Sequence, residues 1–384
     1  MHTSRDRILT THVGSLPRTP AVTDVVFAKE HGTLLDERAL DTVVADAVVE
    51  VVARQVRAGV DIVSDGELSK ISYATYIKDR ISGFAGDSPR RTPHDLEEFP
   101  AYMQQAASSG GTPTYSRPRC VGPLAPMSSQ PLEDDLRRFR EALKGQPVGD
   151  AFMNAASPGV IALFQPNDYY PTHEAYLEAI AEAMRPEYEA IVAAGYVLQI
   201  DSPDLGLGRH TMYKERAESE YVALATLHVE VLNHALRNVA ADRVRMHVCW
   251  GNYEGPHHRD VAMSVVLPIA LRAKPQGLLF EASNPRHAHE WTVFRDAAIP
   301  DDKILIPGVI DSVTNFVEHP LLVAERLCRF GDIVGRERVI AGTDCGFASF
   351  AGFGRVDAEI VYAKLATMAE GAALASKRLW GRSA

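Results

Sequence analysis

A histidine and a cysteine stand two residues apart in the segment MHVCWGN, as His247 and Cys249. The surrounding run, Val244 to Trp250, reads as a strand, where side chains two apart share a face and can reach one ion. Glu281 ends the next strand candidate, Leu278 to Glu281, and Cys345 follows the last, Arg338 to Thr343. Together they offer one nitrogen, two sulfurs and one carboxylate oxygen, a set suited to tetrahedral zinc. A plainer reading fits the same residues: Cys249 and Cys345 as buried core thiols, His247 as a hydrogen-bonded core histidine. Cys120 and Cys328 have no comparable neighbours, and Cys328 falls in a helical stretch after Pro320 where core packing is expected.

The charge of such a centre restricts its chemistry. Zn²⁺ with two thiolates and a neutral imidazole is formally neutral, and a glutamate makes it −1. Zinc that activates water usually keeps its positive charge. A sulfur-rich centre is therefore a poor water activator and a good holder of another thiolate. A free thiol of pKa ~8.5 is only a few per cent ionised at pH 7, and coordination ionises it outright, a gain of at most ~30-fold. The rest of any rate enhancement must come from aligning sulfur with an electrophilic carbon. The expected reaction is alkylation of a thiol.

These residues need elements to position them. Leu40, Val43, Val44, Ala47, Val48 and Val51 follow helical spacing; Gly59 then interrupts, and Val60 to Ser64 reads as a buried strand running into Asp65-Gly66-Glu67. A second copy carries Tyr176, Ile180, Ala183, Met184, Tyr188, Ile191 and Val192, stops at Gly195, and leads through VLQI to Asp201. In both copies an Asp falls six residues after the Gly, so each strand presents a carboxylate at its C-terminal end. A third helix carries Tyr221, Leu224, Leu227, Val231 and Ala235. Further strand candidates are Ile8 to Val13, Arg119 to Val121, Phe152 to Ala155 and Ile304 to Ile310.

Strands alternating with helices imply parallel pairing, and no Gly-rich phosphate loop of an open doubly wound sheet follows a strand. The fold expected is therefore α/β, a (β/α)8 TIM barrel in one domain over residues 1–384, with an irregular insertion near residues 80–146. Nine strand candidates compete for eight places, so one is expected to lie outside the ring. Active-site residues of such a barrel gather at the C-terminal strand ends. Those ends hold His12, Ser15, Glu67, Asp201, His247, Cys249, Glu281, Asp311 and Cys345, with Asn315 close behind.

Composition narrows the classes further. The chain has 384 residues, 40 Lys+Arg against 50 Asp+Glu and a net charge of −10, with 46% hydrophobic residues, as in ordinary globular proteins. No basic stripe suggests nucleic acid, and no apolar run approaches the ~18 residues of a membrane span. The N-terminal MHTSRDRILTT lacks the apolar core of a signal peptide, so the expected address is the cytoplasm.

With these residues assembled, the chain resembles the C-terminal catalytic barrel of cobalamin-independent methionine synthase. It also resembles that enzyme's short single-barrel relatives, among them epoxyalkane:coenzyme M transferases. The resemblance runs from TTHVGSLPRT at Thr10 to GTDCGF at Gly342 to Phe347. It implies Zn²⁺ held by His247 and Cys249 of MHVCWGN, Glu281 of LFEASNPR and Cys345 of TDCGF, with Glu281 loosening as the substrate thiol enters. It further implies that Ser15 of GSLPR, Glu67 of SDGEL and Asp201 of LQIDSP hold a homocysteine-like acceptor. Two carboxylates suit its ammonium group, and a hydroxyl with backbone N–H suits its carboxylate.

Departures from the family pattern bear on the other substrate. The family's second barrel, which helps to hold folate, has no room in this chain. The family's GVYDIHSP motif carries a proton-donating histidine, whereas this chain reads GVIDSVTN with Val313 at that position. IDEP reads IDSP. His319, His287 and His289 are then the candidate proton donors, with His257 and His258 also near strand ends; His287-x-His289 reads as rim rather than ligand. The partners expected are a small-molecule thiol and an alkyl donor, a methylated corrinoid or its carrier protein among the candidates. The nearest alternative is addition of a thiol to an epoxide. More distant are a zinc hydrolase and a non-catalytic zinc protein.

Overall fold

Eight parallel strands form the frame: β1 (Leu9–Thr10), β2 (Ile62–Val63), β3 (Asp150–Ala156), β4 (Val197–Asp201), β5 (Val244–His247), β6 (Gly277–Phe280), β7 (Ile304–Ile310) and β8 (Ile340–Thr343). The computed structural model describes residues 1–108 and 115–381. Each strand from β2 to β8 pairs with the next in chain order, and β8 pairs with β1. The Asp61 N–H donates to the Thr10 carbonyl at 3.1 Å, which brings β1 beside β2 and closes the ring. This is the expected (β/α)8 barrel.

Helices wrap the outside where the periodicity placed them. Glu37–Arg57 buries Val44, Val48, Val51 and Val52, and His173–Ala193 buries Tyr176, Ile180, Met184, Tyr188 and Ile191. Gly59 and Gly195 end these units with φ of 81° and 95°, a conformation that costs glycine nothing. A second apolar cluster fills the barrel interior, with Ile62, Phe152, Val197, Leu279, Ile306 and Ile340 pointing inward. Arg245 is buried among them, donating to Gln199 Oε1, Thr11 Oγ1 and the His12 carbonyl at 2.8 Å each. Its guanidinium lies 3.5 Å from the centroid of the Phe152 ring. Three hydrogen bonds and the face of an aromatic ring offset the cost of burying this charge.

One expectation is met and one needs correction. The ninth strand candidate, Arg119–Cys120, lies outside the barrel, where it pairs antiparallel with Phe84–Ala85. The irregular insertion expected near residues 80–146 is shorter than that. The range contains Gln130–Ala142, a regular helix lying on Glu37–Arg57 and occupying the place of a barrel helix. Its apolar stripe of Leu132, Leu136 and Phe139 is diluted by Asp135 and Arg138, which are buried as an ion pair at 3.0 Å. Among the described residues, no helix is long and apolar enough to cross a membrane.

Candidate functional site

Strand register sets the first pair of the site. β4 and β5 align Asp201 with His247, and the His247 Nδ1 lies 3.6 Å from Asp201 Oδ1. β5 ends at His247, so Cys249 sits just beyond it. Cys345 likewise follows β8, and the two sulfurs stand 3.5 Å apart as free thiols. The donor atoms of His247, Cys249 and Cys345 all lie within 4.8 Å of one another, and all three residues are buried. Three of the four expected ligands therefore converge.

The electrostatics show a site built for positive charge. The hydrogen bond between Cys249 and Cys345, together with His247, overcomes burial and brings the Cys345 thiol down to about 6. The same hydrogen bond, with burial, pushes Cys249 up. Burial opposes a charge on His247, yet Asp201 and Cys345 prevail and raise it to about 10. The Gly251 N–H donates to Cys249 Sγ at 3.2 Å. Two sulfurs and an imidazole this close fit a zinc ion, which would replace the protons they now share.

Glu281, the fourth expected ligand, stands apart from that trio. Its Oε1 accepts from the Trp250 N–H at 3.0 Å, and its Oε2 from Asn284 Nδ2 at 2.7 Å and from Arg286 in a buried salt bridge. Burial works against its charge, but Arg286 and then His287 hold the carboxyl below the ordinary range. Asp344 organises this corner. Its two oxygens accept from the backbone N–H groups of Ala282, Ser283 and Asn284, from the Ser283 hydroxyl and from Asn284 Nδ2, at 2.7 to 2.9 Å. It thereby ties the turn carrying Cys345 to the loop carrying Glu281.

Ser15, Glu67, Asp201, His247, Cys249 and Cys345 all line one cavity of about 460 Å³. Gly346 makes room for Ser15, since a Cβ there would sit 2.0 Å from the Ser15 Oγ. Glu67 adopts φ 55°, and its N–H donates to Asp65 Oδ1 at 3.0 Å. Burial pushes its carboxyl up to about 7; Lys70, 3.6 Å away, opposes the shift, while Asp201 and Asp65 add to it. Asp201 accepts from Asn154 Nδ2 at 2.9 Å and Gln199 Nε2 at 3.0 Å.

Other candidates fall elsewhere. His12 is buried against Gln55 Oε1 at 2.7 Å, outside the cavity lining, and burial lowers it to about 3. Asp311 caps its own turn through the Val313 N–H and the Thr314 hydroxyl, and Asn315 is exposed, bridging to Arg355 and Asp357. His319 caps the helix Pro320–Val334 through Nδ1. His287 is clamped between Asp260 and Glu290, which overcome burial and raise it to about 9. His289 is exposed, and His257 and His258 pair with Asp260 and Glu98. His247 is the one histidine among the described lining residues.

Sequence reasoning missed the outer wall of the cavity. Tyr73 reaches it from beyond β2, and burial, followed by the nearby Cys249, holds its hydroxyl protonated. Tyr73 contacts Phe164 and Phe350, whose ring stacks on Tyr115, giving an aromatic flank to the opening. These residues sit in irregular segments and short helices without a periodic pattern, so nothing in their spacing marked them as cavity lining.

Known proteins share this architecture. Residues 8–90 match the sequence model of the cobalamin-independent synthase catalytic domain. A methionine synthase from Saccharolobus solfataricus is 25% identical over 376 residues, covering 96% of this chain and 95% of its own. One from Thermococcus kodakarensis is 24% identical over 373 residues, covering 96% and 94%. Among solved structures, a B12-independent methionine synthase from Shewanella sp. W3-18-1 in complex with selenomethionine superposes with a TM-score of 0.72 at 19% identity, covering 98% of this chain and 99% of that one. A methyltransferase from Methanosarcina mazei gives 0.51 at 16% identity, covering 95% and 94%. These last two likenesses speak for the fold. Over nearly its whole length the chain is thus similar to the cobalamin-independent methionine synthases, in their short single-barrel form.

Proposed function

We propose that residues 1–384 act as one catalytic unit, an enzyme that transfers a methyl or alkyl group to the sulfur of a homocysteine-like thiol. The observation that carries this reading is the convergence of His247, Cys249 and Cys345 within 4.8 Å in the cavity that also holds Ser15, Glu67 and Asp201. Zn²⁺ is the cofactor proposed, held by those three residues with Glu281 as the displaceable fourth; when bound, it would ionise the acceptor thiol. Glu67 and Asp201 hold the acceptor's ammonium, and Ser15 its carboxylate. Arg286 pairs with Glu281 and holds its carboxyl charged, so that it would be ready to serve as that ligand.

Methyl transfer to sulfur releases whatever carried the methyl group. A tertiary amine leaves poorly unless protonated, and the described cavity lining offers no histidine besides the proposed ligand His247. Glu67, raised to about 7 in the same lining, is assigned to the acceptor's ammonium, so the arrangement favours a donor whose leaving group departs without a proton, as the cobalt of a methylated corrinoid does. The reading also belongs in the reducing cytoplasm, where Cys249 and Cys345 stay available as thiolates.

Cobalt substitution tests the proposal. Titrating the Co²⁺ protein with homocysteine should change the thiolate-to-cobalt absorption at one equivalent, as a third sulfur joins the first two. An absorption unmoved by saturating homocysteine would contradict it.

A further inference from the structure

A second group of metal-type side chains lies outside the cavity. His210 ends the short helix Leu207–His210 that follows β4, and His257 and Asp260 lie in the loop after β5. All three side chains are buried, and their donor atoms come within 4.8 Å of one another. We propose that His210, His257 and Asp260 form a second binding site for a divalent cation of the zinc class, separate from the sulfur centre.

Both imidazoles are oriented by Tyr253. The His257 Nε2 lies 2.9 Å from the Tyr253 carbonyl, to which it donates in one tautomer, and the His210 Nε2 lies 3.4 Å from the Tyr253 hydroxyl. The two Nδ1 atoms therefore turn toward Asp260. His257 Nδ1 is 3.1 Å from Asp260 Oδ1, and His210 Nδ1 is 3.4 Å from the same oxygen. Donors at ~2.0–2.1 Å around a tetrahedral ion are separated by about 3.3 Å. The two edges to Asp260 Oδ1 have about that length, and the third lies within 4.8 Å.

Three features go beyond an ordinary buried ion pair. His210 Nδ1 is buried without a hydrogen-bond partner, a state that proteins rarely tolerate. His257 takes φ 53°, a left-handed conformation uncommon for histidine, and is held there by its N–H donating to Asp95 Oδ2 at 2.8 Å. Asp260 is supported from outside the trio as well: its Oδ2, itself 3.1 Å from His257 Nδ1, lies 3.1 Å from His287 Nε2 and 3.8 Å from Arg286 Nη1, while Oδ1 faces both imidazoles. Carbonyl–histidine and supported-carboxylate arrangements of this kind surround metal ligands.

The donor set is nitrogen, nitrogen and oxygen, so the bound ion carries no thiolate. Its place is structural. It would fasten the loop after β4 to the loop after β5, and those loops contribute Leu207, Thr211, Asn252 and Tyr253 to the cavity wall. The inference stands independently of the transfer reaction.

Metal counting tests it. Chelator-stripped protein reloaded with Co²⁺ should bind two equivalents, one with thiolate-to-cobalt absorption and one with d–d bands alone. A Cys249→Ser/Cys345→Ser chain should keep one equivalent without the sulfur absorption, and adding His210→Ala should remove it. A wild-type stoichiometry of one that carries the thiolate-to-cobalt absorption, a doubly substituted chain that binds none, or a triply substituted chain that still binds one would each overturn the second site. Loss of the sulfur absorption from the wild type would count only against the transferase centre.

Discussion

The ionisation of Glu67 gives the proposed acceptor pocket a measurable pH signature. Its carboxyl is raised from 4.5 to about 7, burial being the main cause, with Asp201 and Asp65 adding repulsion. A bound ammonium group needs the ionised form. With a pKa of about 7, roughly 9% is ionised at pH 6 and roughly 91% at pH 8, so apparent affinity for an amino thiol should improve about 10-fold from this group. Ionisation of the thiol itself also favours binding at high pH, and that contribution is removed by comparison with 4-mercaptobutyrate, which lacks the amine. The assay is calorimetric titration of both ligands into the metal-loaded protein at pH 6, 7 and 8. The ratio of their Kd values should grow about 10-fold across the range and become flat in Glu67→Gln. The sign for folding is opposite. A carboxyl that holds its proton more tightly folded than unfolded favours folding most below pH 4.5, and loses about 3 kcal/mol of that advantage as pH rises through 7. Glu67→Gln should therefore melt higher than the parent at pH 8 in the absence of ligand. A ratio that stays constant, or shrinks, with rising pH would refute the assignment of Glu67 to the ammonium.

Arg286→Met strands Glu281 in the interior with only the Trp250 and Asn284 donors, and loss of one partner of a buried pair costs about 3–5 kcal/mol. The metal-free variant should melt well below wild type, and zinc should restore more of its Tm than it adds to wild type; equal Tm values without metal would speak against the stabilising role of the Arg286–Glu281 salt bridge. Gly346→Ala drives a methyl to within 2.0 Å of the Ser15 Oγ. Homocysteine affinity should fall at least 10-fold in calorimetry while Co²⁺ stoichiometry holds, and unchanged affinity would remove Ser15 from the acceptor site.

Much of the barrel was legible because local rules govern it. The helix Glu37–Arg57 and the strand after Gly59 follow from spacing within 30 residues, and the burial of Val44, Val48 and Val51 agrees. The extra strand at Arg119–Cys120 could not be told from a barrel strand locally, since only its antiparallel partner Phe84–Ala85 distinguishes it. The same division runs through the site. His247, Cys249 and Cys345 were legible as types able to share an ion, and Glu67 and Asp201 as carboxylates at strand ends. The groups that set their state were not. Asn154 fixes Asp201 across 47 residues, Asp344 grips the Glu281 loop across about 60, and Arg286 holds Glu281 by a turn that spacing does not announce. Histidines show the difference most sharply, because one side chain serves as cap, core contact or ligand according to what surrounds it. His319 at a helix N-terminus, His12 against Gln55 and His287 between two carboxylates all sit near strand ends in sequence, yet each has at least one ring nitrogen committed outside the cavity lining. His247 differs because strand register sets it beside Asp201, and although its Nε2 also lies 3.3 Å from the Asp344 carbonyl, a ring nitrogen stays within 4.8 Å of both sulfurs. Proximity to a strand end therefore nominates a residue for the site, and the hydrogen bonds it has already made decide whether it can act there.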